Sequence, residues 1–371
     1  MANKHRKIVV KLGTSTLTGG GTHLDQPRVL DIARQTASLW RAGEKICLVS
    51  SGAIAAGREV LAFPQLQKTI PAKQMLAAVG QPRLMDLYQQ FFNIYGLAVA
   101  QILLTREDIS DRKRYLNARN TLSSLLDQDV IPIINENDTV ATDEIHIGDN
   151  DNLSAMVASL IDADLLILLT DQAGIYTADP SLDQRAQLIE TIDGNEIPAA
   201  IWEAAGGSKN GLGTGGMQTK LEAAETARRS GTLVVIASGE LPDVILRIAN
   251  GEQIGTRIMP VVDTLESRKR YMLAGAGKGN AVVIDAGAKK ALASGGSLLP
   301  VGIKKVMGSF DRGAIITVVD EKDEPISLGL ANYSSEDVKK IQGKQSDQIE
   351  RTLGYIIGDE VIHHNNMVLL K

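Results

Sequence analysis

The chain has 371 residues, 44% apolar and 22% charged, the composition of an ordinary soluble globular protein long enough for two domains. With 39 Lys and Arg against 44 Asp and Glu, its net charge of −5 argues against a protein whose whole surface binds nucleic acid or anionic membrane. One cysteine excludes an intramolecular disulfide, and no apolar run exceeds strand length, so a cytoplasmic, reducing setting without membrane attachment is expected.

Short aliphatic runs alternate with amphipathic ones up to about residue 260. "KIVVKL", from Lys7 to Leu12, predicts a strand. "DQPRVLDIARQTASLWRAG" predicts a helix, with Asp25 as N-cap, Pro27 in the first turn and Gly43 past the end. Further strands are predicted over Ile46–Ser51, Leu97–Leu104, Val130–Ile134, Leu165–Thr170 and Leu233–Ser238. Aliphatic residues in unbroken rather than alternating runs indicate strands buried on both faces. The fold class is therefore α/β, with an open, mainly parallel sheet flanked by helices. From "TLESRKRYMLAGAGKG" onward the pattern shifts to short β-like runs with Gly-rich turns. The expected organisation is a first domain over 1–262, a linker over 263–274 and a smaller β-rich domain over 275–371. Residues 271–371 carry twelve basic and twelve acidic residues, which leaves the acidic excess in the first domain.

Ligands of an open parallel sheet bind beyond the carboxyl ends of its strands. The loops at those ends share one character. After the first strand come Lys11, Gly13, Thr14 and Ser15, after the second Ser50, Ser51 and Gly52. "NENDTV" follows the fourth, "GDNDNLS" comes shortly after it, and Asp171 follows Thr170. Lys11 ends an aliphatic strand, where a charge is costly unless it faces a polar cleft, and such a lysine suits an anion. "SSGA" offers backbone N–H groups at a helix start, which also suits an anion. The amides and carboxylates from Asn135 to Asn152 suit a polar ligand that carries an ammonium group.

The Gly-rich stretch "GLGTGGMQTK" formally contains G-x-G-x-x-G at Gly211, Gly213 and Gly216. It follows no strand, so a dinucleotide fingerprint fails on context, and no Gly-Lys-Ser/Thr follows, so a Walker A loop fails too. What remains is a loop of free N–H groups opening a helix that carries Lys220, or else an interdomain linker. His363-His364 has no further Cys or His at metal-ligand spacing, so no protein-held metal is expected. The basic run Asp111–Asn120 is read as a solvated helix face or subunit contact.

Taken together, "VVKLGTS", "SSGAIAAGR", "INENDTVAT", "GDNDNLSA", "LLTDQAGIYTADP" and "GLGTGGMQTK" resemble the amino acid kinase family in order and spacing. "GSLLPVGI", from Gly296, resembles the domain named for pseudouridine synthases and archaeosine transglycosylases (PUA). The resemblance implies phosphorylation of the side-chain carboxylate of L-glutamate by ATP with Mg²⁺, the start of proline synthesis, with proline as inhibitor and a homo-oligomeric assembly. It assigns Lys11 and Lys220 to the transferring phosphoryl group and Asp151 to orienting both lysines. Gly13, Thr170, Asp171 and the stretch Thr214, Gly215, Gly216, Met217, Gln218, Thr219 and Lys220 would contact ATP. Ser51, Gly52, Asp138 and Asn150 would contact glutamate, with Asp138 pairing the α-ammonium. A carboxylate at position 138 favours free over N-acetylated glutamate. RNA binding through the PUA-like domain is not expected, since its charge is balanced.

Overall fold

A computed structural model describes residues 6–67, 69–141, 150–206 and 216–370. The chain divides into two compact units, Met1–Ile109 with Ala118–Thr264, and Ser110–Asn117 with Leu265–Lys371.

The strands of the first unit among the described residues are β1 (Lys7–Leu12), β2 (Lys45–Ser50), β3 (Val99–Leu104), β4 (Ile131–Glu136), β5 (Leu165–Thr170), β6 (Thr191–Ile192), β7 (Leu233–Ser238) and β8 (Thr256–Ile258). They form one sheet in the order β3-β4-β2-β1-β5-β7-β8-β6. Every pairing is parallel except β7 with β8. All six residues of β5 are buried, as are five of six in β1 and β2, which is why these runs are aliphatic on both sides. Cys47 lies buried in β2, where burial pushes its thiol up to about 12 and leaves it neutral. None of the described helices is long and apolar enough to cross a membrane.

The helix Gln26–Arg41 forms as its caps dictate. The Asp25 carboxylate accepts the Arg28 N–H at 3.1 Å, and Pro27 sits in the first turn. Gly43 takes φ +91° beyond its end. Its buried stripe Val29, Ile32, Ala33 and Leu39 joins the core with Ile8, Val10, Leu48 and Ile167 of the sheet. Two more helices, Ala53–Val60 and Ile70–Asn93, cross with their backbones in contact. A Cβ on Gly57 would collide with the Leu76 carbonyl oxygen, and one on Gly80 with that of Ala53. Glycine is required at both positions by space.

In the second unit the described strands are β9 (Ala276–Ile284), β10 (Ile303–Met307), β11 (Ile315–Val319), β12 (Pro325–Leu330) and β13 (Met367–Leu369), in the order β10-β9-β11-β12-β13. Only β9 with β11 is parallel. Tyr333, fully buried, donates to the Gly358 carbonyl at 2.6 Å and accepts the Ile357 N–H at 2.9 Å, pinning the segment before β13. Residues 110–117 belong to this unit because Leu116, fully buried, packs with Met272, Ile315, Leu328 and Leu330. The run Asp111–Asn120 is thus a solvated face only in part. Arg112, Lys113 and Arg114 are exposed, whereas Leu116 and Arg119 are buried.

Candidate active site

The carboxyl ends of β1, β2, β4 and β5 converge on a buried ion cluster. Lys11, the penultimate residue of β1, places Nζ 2.7 Å from Asp151 Oδ1. Lys220 Nζ stands 3.2 Å from Asp151 Oδ2, and the Thr219 hydroxyl donates to the same oxygen at 2.8 Å. Asp151 lies in the first turn of the helix Asn150–Leu160, and Lys220 in the helix Met217–Arg229. All three are buried, with exposures of 4% for Lys11, 2% for Asp151 and 8% for Lys220. Burial raises the Asp151 carboxyl, but the charges of Lys11 and Lys220 and the bonds from Lys11 and Thr219 outweigh it and hold it below the usual range. Two lysines on one carboxylate leave a formal charge of +1 out of water, a situation that an arriving anion relieves.

Beside this cluster Asn150 is held by its amide nitrogen. Nδ2 lies within reach of three acceptors, Asn135 Oδ1 at 2.9 Å, Ser51 Oγ at 3.0 Å and the Ser50 carbonyl at 3.2 Å. Asn135 in turn donates to Gln81 Oε1 at 2.9 Å and accepts the Glu136 N–H at 2.9 Å. The Ser50 hydroxyl is 2.7 Å from that of Tyr88. With its nitrogen so engaged, Asn150 Oδ1 is buried without a partner among the described residues. An orphaned acceptor of this kind awaits a donor.

A cavity of about 380 Å³ opens here, walled among others by Ser51, Gly52, Arg58, Asn135, Asp138 and Asn150. Gly52, at φ +102°, makes the turn from β2 into the helix Ala53–Val60 and caps it without a side chain, so the first helical N–H groups keep no intrahelical acceptor. Burial pushes the Asp138 carboxyl up to about 6.

Thr170 ends β5 and Asp171 follows it, the Thr170 hydroxyl donating to Asp171 Oδ1 at 2.9 Å. A second cavity of about 670 Å³ starts at the neighbouring Gln172 and is walled also by Tyr176, Pro180, Leu182, Glu203 and Met217. Gly216, extended, caps the helix Met217–Arg229 without a side chain, and Gln218 and Thr219 are buried beside Lys220. A Cβ on Gly13 would meet Lys11 Nζ at 3.4 Å, so that glycine lies against the lysine head. Thr214 and Gly215 lie outside the described residues, as do Gly211, Gly213 and Asp149. The structure thus gathers Lys11, Gly13, Asp151, Thr219 and Lys220 in one cluster, Ser51, Gly52, Asp138 and Asn150 around the smaller cavity, and Met217 on the larger one.

Sequence reading gave no role to Arg58, Gln81, Tyr88 or Tyr176. Arg58 and Tyr176 stand inside the quoted motifs "SSGAIAAGR" and "GIYTADP", which was their only signal. Gln81 and Tyr88 lie mid-helix, and nothing in the sequence reveals which side they face.

Residues 6–238 match the amino acid kinase family and residues 280–353 the PUA domain. The chain belongs to the amino acid kinase family. Within it, the chain is similar to curated relatives named glutamate 5-kinase. It is 53% identical over 367 residues to the glutamate 5-kinase of Shewanella oneidensis, covering 99% of this chain and 98% of that protein. The glutamate 5-kinase of Photobacterium profundum is 52% identical over 364 residues (98% and 96%), and that of Vibrio vulnificus 49% over 371 residues (100% and 97%).

Proposed function

We propose that this protein is a glutamate 5-kinase. It transfers the γ-phosphoryl group of ATP to the side-chain carboxylate of L-glutamate, giving L-glutamyl 5-phosphate for proline biosynthesis. The observation that carries this reading is near full-length identity of about one half to enzymes of that name, joined to a buried Lys11–Asp151–Lys220 cluster beside an amino-acid-sized cavity.

The chemistry suits these residues. A side-chain carboxylate with a pKa of about 4.3 is ionised at neutral pH, so the nucleophile needs no general base. The work that remains is to bring two anions together and to spread the charge that develops on the transferring phosphoryl group. Lys11 and Lys220 supply the charge, and Asp151 keeps the two ammonium groups in place. Gly13 and the N–H groups opening the Met217–Arg229 helix bind the phosphates, a role the motif also assigns to Thr214 and Gly215, which lie outside the described residues, and Thr170 and Asp171 contact the nucleotide. The larger cavity between Gln172 and Met217 takes the remainder of the nucleotide. Among the described residues no three His, Cys, Asp or Glu side chains gather as metal ligands. Mg²⁺ in this reading arrives on the phosphates of ATP and neutralises part of their charge.

Ser51, Gly52, Asp138 and Asn150 hold glutamate. Asp138 pairs the α-ammonium, and the orphaned Asn150 Oδ1 accepts one of its hydrogens, which favours free over N-acetylated glutamate. Inhibition by proline at the same cavity, a homo-oligomeric assembly and a cytoplasmic location complete the reading. The test is to trap the acyl phosphate with hydroxylamine in the presence of MgATP and glutamate, N-acetylglutamate or aspartate. Hydroxamate from glutamate alone is the expected result. Hydroxamate only from another acid overturns the substrate, and none from any acid overturns the kinase reading.

A further inference from the structure

We infer that Arg58 is the residue that recognises the α-carboxylate of the substrate, acting with the uncapped N-terminus of its own helix. This rests on the activity proposed above and names a contact within the same cavity. Glutamate carries two carboxylates and one ammonium. The ammonium has Asp138, and the side-chain carboxylate must face the Lys11–Asp151–Lys220 cluster to be phosphorylated. The α-carboxylate then needs its own positive partner.

Three observations point to Arg58. Among the described residues walling the smaller cavity it is the only Lys, Arg or His. Its guanidinium is exposed and has no hydrogen-bond or ion-pair partner among the described residues, so it is available to a ligand anion. It also stands four residues after Ile54 and three after Ala55, both walling the cavity, so the spacing brings all three to one face of the Ala53–Val60 helix. That helix begins at Gly52 with no side-chain cap, and its first residues, Ala53, Ile54 and Ala55, wall the same cavity, which leaves their N–H groups without an intrahelical acceptor. A carboxylate there meets backbone donors at one end and a planar guanidinium fork at the other. Asn150 Oδ1, buried and without a partner among the described residues, adds an acceptor for a hydrogen-bond donor on the same cavity.

The experiment compares L-glutamate with its α-amide, isoglutamine, which keeps the reactive side-chain carboxylate and the ammonium but lacks the α-carboxylate. Both are assayed by hydroxamate trapping with MgATP. Wild-type enzyme is expected to prefer glutamate by about tenfold to a hundredfold in kcat/KM, the range for a charge-assisted hydrogen-bonded pair. Arg58→Gln is expected to remove most of that preference by raising KM for glutamate, with isoglutamine changed by less than about threefold and KM for ATP unchanged. Arg58→Lys, which keeps the charge but not the fork, should fall between the two, and it carries the test should Arg58→Gln fail to fold. A loss of activity shared equally by glutamate and isoglutamine, or an unchanged KM for glutamate, overturns the assignment. Wild-type enzyme inactive toward glutamate overturns the activity itself, and Arg58 with it, which separates the two failures.

Discussion

Lys11 and Asp151 meet at 2.7 Å although 140 residues separate them, and neither is more than 4% exposed. The contact joins the end of a central strand to the start of a helix. It holds a lysine where an aliphatic core would otherwise exclude one. Breaking a buried pair from one side leaves an uncompensated charge, which makes such a contact asymmetric: costly to halve, whatever it contributes whole.

Asp151→Asn should therefore lower both rate and stability. The amide keeps the shape but leaves two buried lysines without their counter-charge. Removal of one element of transition-state charge positioning typically lowers kcat by about 10² to 10³-fold. The sign of the pH effect follows from the lowered carboxyl. Its stabilising contribution is complete above the unfolded value of about 3.9 and is lost as pH falls through the lower folded one. The melting temperature of the wild type should exceed that of Asp151→Asn throughout the neutral range and converge on it only in strong acid. Equal melting temperatures at pH 7 would contradict the proposed charge balance.

Lys220→Met should reduce kcat by a similar factor of about 10² to 10³ while KM for glutamate changes little, if this lysine serves the transferring group as proposed. Steady-state kinetics with both substrates varied reads the split. A variant impaired only in KM would assign Lys220 to ground-state binding instead.

Asp138 gives a pH signature. Burial pushes its carboxyl up to about 6, and only the ionised form pairs an ammonium. KM for glutamate should rise as pH falls through 6, with KM for ATP flat, and Asp138→Asn should show a high KM with no such dependence. The stability sign is opposite to that of Asp151. A carboxyl raised in the folded state binds a proton that the unfolded chain releases, so its cost develops between about 3.9 and 6 and is complete above. Asp138→Asn should thus melt higher than wild type at pH 8, with a smaller difference at pH 5. Calorimetry at the two pH values checks it.

Gly80→Ala should destabilise severely, by about 3 kcal/mol, because its methyl meets a backbone carbonyl that cannot rotate aside. Chemical denaturation measures this. Gly96→Ala serves as the reference, since nothing lies within 4 Å of its would-be Cβ; its φ of +73° strains the backbone without adding a collision. An equal loss at both positions would mean that space at the helix crossing is not the reason for glycine.

Much of the first unit was legible because its determinants are local. Aliphatic runs marked β1, β2, β3, β4, β5 and β7 to within two residues, and Asp25, Pro27 and Gly43 marked one helix. β6 and β8, of two and three residues, are too short to show a period, and the antiparallel turn of β8 on β7 has no local signal. Leu116 looked like one apolar residue in a basic helix because its partners lie more than 150 residues away. For the site, residue type was legible at each strand end, but which lysine would share which carboxylate came only from resemblance. The orientation of Asn150 depends on Gln81 and Tyr88, whose facing is a property of the packed helix.

The crossing at Gly57 and Gly80 gives the smaller cavity one rigid jaw. The helices Ala53–Val60 and Ile70–Asn93 meet there with no room for even a methyl group, and the first of them carries Arg58 and starts at Gly52. The same cavity is also walled by Gly21 and Thr22, both exposed, where a change of side chain meets no such close packing. Engineering the enzyme toward a longer acid should therefore vary residues 18–22 and leave the helix pair untouched.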